Sequence, residues 1–112
     1  MLLKEDGIRL HHMLDAAREA LDFAQGRRRE DLEVDRQLVL SLVRSLEVIG
    51  EAASKVSAEF KAARPDIPWL DITGMRNRLI HAYFDVNLNV VWKTVTQEMP
   101  ALAEQLEEIL SS

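Results

Sequence analysis

Residues 35–60, DRQLVLSLVRSLEVIGEAASKVSAEF, decide the fold. Val39, Leu42, Leu46, Ile49, Ala53, Val56 and Phe60 follow one another in alternating steps of three and four. That spacing draws a single apolar stripe down a helix of 3.6 residues per turn. Asp35, just ahead of the stripe, is the expected N-cap, because its carboxylate can accept from the unpaired amides of the first turn. Gly50 interrupts the interior of the pattern and costs about 1 kcal/mol relative to alanine. A glycine there predicts the close approach of another backbone.

Working outward, Leu3, Leu10, Leu14, Ala17, Leu21 and Ala24 form a second helical seam, and Gly26 ends it. Residues 26 to 35 read as a loop or a frayed start to the next helix. Within them Arg27-Arg28-Arg29 reads as a solvated run, with phosphate contact the alternative. On the other side, Pro65 and Pro68 end the long helix, since a proline drives its predecessor into extended backbone. Pro68 suits the first turn of a third helix, where its missing N–H is not needed. That helix is expected from about Trp69 to about Tyr83. A turn over residues 85 to 89 with an asparagine cap leads into a last helix from near Leu88. Its seam is Val91, Val95, Met99, Leu102, Leu106 and Ile109, and Pro100 predicts a kink or a junction of two helices. Nothing alternates with period two long enough to predict a strand. The fold class is all-α, an up-and-down bundle of four to five helices in one domain over residues 1–112.

The bulk composition closes several routes. The chain has no cysteine, which excludes disulfides and thiolate metal sites and agrees with a cytoplasmic location. Its N-terminus carries acidic residues early and does not read as a signal peptide. No run approaches the roughly 20 apolar residues that a bilayer-spanning helix needs, so a soluble protein is expected. The net charge of −5 argues against broad, sequence-blind nucleic-acid binding and requires any basic cleft to be local. No glycine-rich phosphate loop, zinc helix or calcium loop is present. His11, His12 and Asp15 are too few to make a metal site, and neither a metal nor another cofactor is expected. Trp69 and Trp92 read as core or interface residues rather than base-stacking platforms.

The segment Gly74 to Tyr83, GMRNRLIHAY, carries the chemistry. On a helix Ile72, Met75 and Leu79 share the core face. With Arg76 at zero, Asn77 falls at about 100° and His81 at about 140°, away from that face. Tyr83 borders the core stripe two turns on from Arg76. A guanidinium matches two phosphate oxygens and keeps its charge. An imidazole moves protons near neutral pH. Together they suit RNA cleavage by attack of the ribose 2′-hydroxyl on the adjacent phosphorus, with histidine transferring protons and arginine stabilising the developing charge. In-line attack benefits from both an acid and a base, and the motif has one histidine. A two-fold dimer with this helix near its axis would bring a second Arg76 and His81 into the same cleft. On the long helix, Arg44, Glu47 and Glu51 are supporting candidates, to orient the motif arginine or meet RNA, with inter-helix salt bridges as the alternative. Arg78 reads as a phosphate or partner contact or a solvated charge.

Arg76-Asn77-Arg78-Leu79-Ile80-His81-Ala82-Tyr83 resembles the Arg-x4-His-x-Tyr signature of HepT-like proteins in the HEPN superfamily. Arg44-Ser45-Leu46-Glu47-Val48-Ile49-Gly50-Glu51-Ala52-Ala53 is similar to the second-helix motif of that family. Pro65-Asp66-Ile67-Pro68-Trp69 and Ile72-Thr73-Gly74-Met75-Arg76 are similar to the start of its third helix. Phe84-Asp85-Val86-Asn87-Leu88 and Val91-Trp92 resemble its passage into the fourth. The likeness covers the chain from residue 10 onward. It implies a HEPN-like homodimer acting as a toxin ribonuclease, metal-independent, with tRNA as the expected substrate and Arg76 and His81 catalytic. Asn77 would support them. The implied partner is an MntA-type minimal nucleotidyltransferase antitoxin that silences the toxin by transferring AMP to Tyr83. The alternative is a non-catalytic helical module that holds a nucleotide or docks the nucleotidyltransferase.

Overall fold

The stripe of residues 35–60 folds as helix, but in two pieces. In the computed structural model, which describes residues 2–82 and 85–111 with the side chains of His81 and Ala82 outside that description, the chain is all-α apart from one short hairpin. Helix α1 (Lys4–Ala24) is followed by a single turn, α2 (Asp31–Val34), and by α3 (Arg36–Ser54). Asp35 caps α3 as expected, its carboxylate accepting from the Leu38 amide at 3.0 Å. The seam does not run on to Phe60 in one helix. Ser57 starts a new helix, α4 (Ala58–Ala63), by accepting from the Phe60 amide. The break is fixed from a distance: buried Asp6 on α1 accepts from both the Ser57 amide (2.8 Å) and the Ser57 hydroxyl (2.6 Å). Val56 stays buried and Phe60 still packs on the core, so the apolar spacing survives a break that it does not reveal.

Gly26 adopts φ +74 and ends the first helical region, as its position predicts. Arg27 of the arginine run is bound locally, to Asp31 at 3.3 Å and Asp35 at 2.7 Å. The Arg27 hydrogen bond is the main reason that the Asp35 carboxyl titrates below its ordinary value. Arg29 pairs with Glu33 and donates to Asn89. Two members of the run therefore hold the α1–α3 connection together.

α1 packs along α3 on one side and along the C-terminal helix on the other. Leu10, Met13, Ala17, Leu42, Leu46, Ile49 and Leu106 are fully enclosed between them. The third-helix region is also divided, into α5 (Trp69–Thr73) and α6 (Met75–Leu79), with Gly74 between. Ile72, Met75 and Leu79 are buried, as their wheel positions predict. Trp69 is buried as well. Its indole N–H donates to the Arg64 carbonyl at 2.9 Å and its ring meets Phe60 edge-on.

Helix α6 stops at Leu79, four residues short of the expected end at Tyr83. Ile80 is extended, and β1 (Ile80–Ala82) pairs antiparallel with β2 (Asp85–Val86), Ile80 opposite Val86 and Ala82 opposite Asp85. The Asn87 amide donates to the Leu79 carbonyl at 2.7 Å, taking an acceptor that a continuing helix would have used. Residues 80–86, IHAYFDV, are rich in branched and aromatic types that favour extended backbone. Asn87 then caps α7 (Leu88–Lys93) by accepting from Val90.

The kink or junction predicted at Pro100 takes a third form. The chain passes through a π-helical turn (Thr94–Glu98) and continues as α8 (Met99–Leu110), with Pro100 in the first turn of that helix. The Thr94 hydroxyl donates to the Val90 carbonyl and the Thr96 hydroxyl to the Trp92 carbonyl, adding acceptor satisfaction around the widened turn. No helix is long and apolar enough to cross a membrane among the described residues.

The close approach predicted from Gly50 is present. A Cβ at that position would lie 2.7 Å from the Ile72 carbonyl oxygen and 3.2 Å from the Met75 Cβ. Gly50→Ala should destabilise the fold by roughly 1–3 kcal/mol through overpacking. Urea unfolding would show it as a lower midpoint with an unchanged slope; an unchanged midpoint would mean that α5 and α6 yield freely.

Candidate functional site

Arg76 stands on α6, one residue after buried Met75, so the core contact of its neighbour fixes where it starts. Its side chain is 78% exposed and one guanidinium nitrogen lies 3.4 Å from a Glu47 carboxylate oxygen. Glu47 is far more enclosed, at 23%. It projects from α3 one turn before Gly50, where α3 and α5–α6 come closest. The pairing is long for a charge-assisted hydrogen bond, and a guanidinium so exposed remains available to a ligand.

Two cavities meet at Arg76. The smaller, of about 250 Å³, is lined by Arg44, Glu47, Gly50, Glu51, Ser54, Thr73 and Arg76. The three supporting candidates from α3 and the motif arginine from α6 thus share one polar cleft. The larger, of about 770 Å³, also has Arg76 in its wall, together with exposed Asn77. Its walls are otherwise largely apolar, from Leu32, Val39, Val43 and Leu88 among others, with Arg36 at α3. Arg36 was not singled out from sequence. Its sequence signal is weak: it lies eight residues before Arg44, about 80° away from it around α3.

The helical-wheel placement of His81 does not survive. Its backbone belongs to β1, beyond the end of α6, so the angle of about 140° from Arg76 that a continuous helix implies does not apply. The His81 side chain lies outside the described residues, as does Tyr83 altogether. Arg76, Asn77, Arg44, Glu47 and Glu51 are brought to one region.

Arg78 is bound within the fold. Its guanidinium donates to Glu98 of the π turn at 2.7 Å, with the two side chains 28% and 37% exposed, and approaches the Met75 sulfur. Arg18 also pairs with Glu107, and Arg64 with Asp66. Hydrogen bonding from Arg64 holds the Asp66 carboxyl at about 2, below its ordinary 3.8.

Comparison with known proteins assigns the class. Residues 13–109 match the family model described as Ribonuclease HepT-like. The chain is similar to a provisionally named RNase of Caldanaerobacter subterraneus subsp. tengcongensis, 41% identical over 101 residues and 90% of each chain. It is also similar to the Probable ribonuclease HepT of Thermococcus cleftensis, 41% identical over 71% of this chain and 73% of that one. A third relative, a provisionally named RNase of Methanocaldococcus jannaschii, is 29% identical over 88% of this chain and 90% of its own. No solved structure gives a significant match. The chain belongs to the HepT-like ribonuclease family of the HEPN superfamily. Its enzyme class is endoribonuclease.

Because Arg78 is engaged with Glu98, Arg78→Ala should act on stability rather than on cleavage. Loss of this half-exposed pair should cost about 0.5–1 kcal/mol in urea unfolding. The rate of RNA cleavage per folded molecule should be unchanged, and a tenfold drop would return Arg78 to the substrate side.

Proposed function

We propose that this protein is a metal-independent endoribonuclease toxin that cleaves tRNA, with Arg76 and His81 contributed by two copies of the chain. The observation that carries the reading is Arg76: an arginine 78% exposed, weakly held by Glu47, at the meeting point of two cavities in a chain of the HepT-like family. In the reaction the 2′-oxygen bonds to phosphorus as the bond to the 5′-oxygen breaks. One His81 takes the 2′-hydroxyl proton and the His81 of the second copy gives a proton to the departing 5′-oxygen. Arg76 stabilises the extra negative charge on the non-bridging oxygens. The products are a 2′,3′-cyclic phosphate and a 5′-hydroxyl. Asn77, exposed beside Arg76, offers an amide to the same phosphate or its neighbour.

Purified protein incubated with total tRNA in EDTA should cleave it. Arg76→Ala should lower the rate by ~10²–10³ and His81→Ala by ~10²–10⁴. Intact tRNA with the wild type, or equal cleavage by the His81 variant, would end the nuclease reading.

Control by an MntA-type nucleotidyltransferase is part of the same proposal. The Tyr83 phenolic oxygen would attack the α-phosphorus of ATP and release pyrophosphate, leaving AMP on the tyrosine. A phosphodiester anion and a nucleoside, seven residues from Arg76 in the chain, would compete with RNA for the guanidinium. After treatment with that enzyme and ATP, mass spectrometry should find a single added AMP on Tyr83, together with loss of cleavage. An unmodified Tyr83 would remove the switch from the proposal and leave the cleavage chemistry standing.

A further inference from the structure

Apart from Arg76, which Glu47 meets at 3.4 Å, the arginines of this acidic chain fall into two groups. Arg18, Arg27, Arg29, Arg64 and Arg78 each pair with a carboxylate, at 2.7–3.6 Å. Arg9, Arg28, Arg36 and Arg44 have no carboxylate at ion-pair distance among the described residues. Two of those four, Arg36 and Arg44, line the cavities that meet at Arg76. Arg44 stays unpaired although Glu47 and Glu51 follow it by one and two turns on the same helix, because Glu47 is turned to Arg76. Arg36 and Arg44 are separated by about 12 Å along α3 and about 80° around it, from the rise and turn of eight helical residues. That length suits the phosphates of successive nucleotides in a single extended strand, with Arg76 between them.

We propose that the exposed side of α3 is a track for single-stranded RNA: Arg36 and Arg44 hold the phosphates on either side of the one at Arg76. This rests on the ribonuclease reading and adds the flanking subsites to it. The large cavity between Arg36 and Arg76 is lined mainly by apolar side chains, among them Leu32, Val39 and Val43, and receives the base of a flanking nucleotide. Glu33 and Asp85 on its rim, like Glu51 beyond Arg44, repel phosphate and confine the backbone to the arginine line. A duplex presents its bases stacked and paired, so this cavity selects an unpaired strand.

The test is binding of a short 2′-O-methyl RNA oligonucleotide, which lacks the attacking hydroxyl, followed by fluorescence anisotropy over a range of salt. Each phosphate contact on a single strand contributes about 0.7 to the slope of log affinity against log salt. Arg36→Ala and Arg44→Ala should each reduce the slope by about that amount, and the double variant by about twice it. Arg9→Ala, outside both cavities, should leave it unchanged. An unchanged slope in either track variant overturns the proposal. So does dissociation of a dimer by Arg36→Ala in sedimentation, which would make this side of α3 a contact between copies. Predicted slopes in a protein that leaves tRNA intact would keep the track and remove the nuclease; cleavage with unchanged slopes would do the reverse.

Discussion

The contact between Gly50 and the Ile72 carbonyl is the constraint on which the site depends. A hydrogen in place of a side chain lets α3 lie against α5 and α6 at a distance no other residue permits. Glu47 is three residues before that contact and Glu51 one after it, so both stand at the line where the two layers meet. Arg76 follows Met75, whose own Cβ touches the space Gly50 leaves open. The backbone approach thus sets the separation of carboxylate and guanidinium, and packing of the buried face determines the geometry of the polar one.

Electrostatics follow from that placement. A chain of net charge −5 meets a polyanion only if its cations are unevenly available. Most of the carboxylates that neutralise arginine do so at connections: Asp31 and Asp35 at the α1–α3 link, Asp66 before α5, Glu98 in the π turn. Arg76, by contrast, faces an enclosed carboxylate at a longer distance and keeps most of its surface in solvent. The overall acidity and a local cationic region are therefore compatible within one small domain.

Helix class and core were legible in the sequence wherever apolar spacing and capping agreed. Asp35, Asn87, Gly26 and Gly50 each took the structural part that their chemistry predicts. The errors share a cause, which is that periodicity reports a face and not continuity. Val56 and Phe60 keep the α3 seam across a break made by Ser57 and by Asp6, a partner 51 residues away. The Arg76-to-Tyr83 segment fits a helical wheel, yet the Asn87 amide and the extended preference of IHAYFDV end α6 at Leu79. The cluster of Arg44, Glu47, Glu51 and Arg76 was legible as residue types, but its assembly depends on a crossing that only Gly50 hints at. Arg78 looked free because its partner, Glu98, lies on a different helical segment.

The π turn has a consequence for the identity of the motif arginines. A bond from residue i+5 encloses one more residue than an α-helical turn, so everything after it is rotated by about 100° from where a regular helix would carry it. Glu98 closes that turn and meets Arg78. The extra residue therefore sets where Glu98 stands, and with it the neutralisation of Arg78, which is turned about 200° around α6 from Arg76. In this sense a local irregularity in the last helix acts as a clasp, holding one of two chemically identical side chains within the fold.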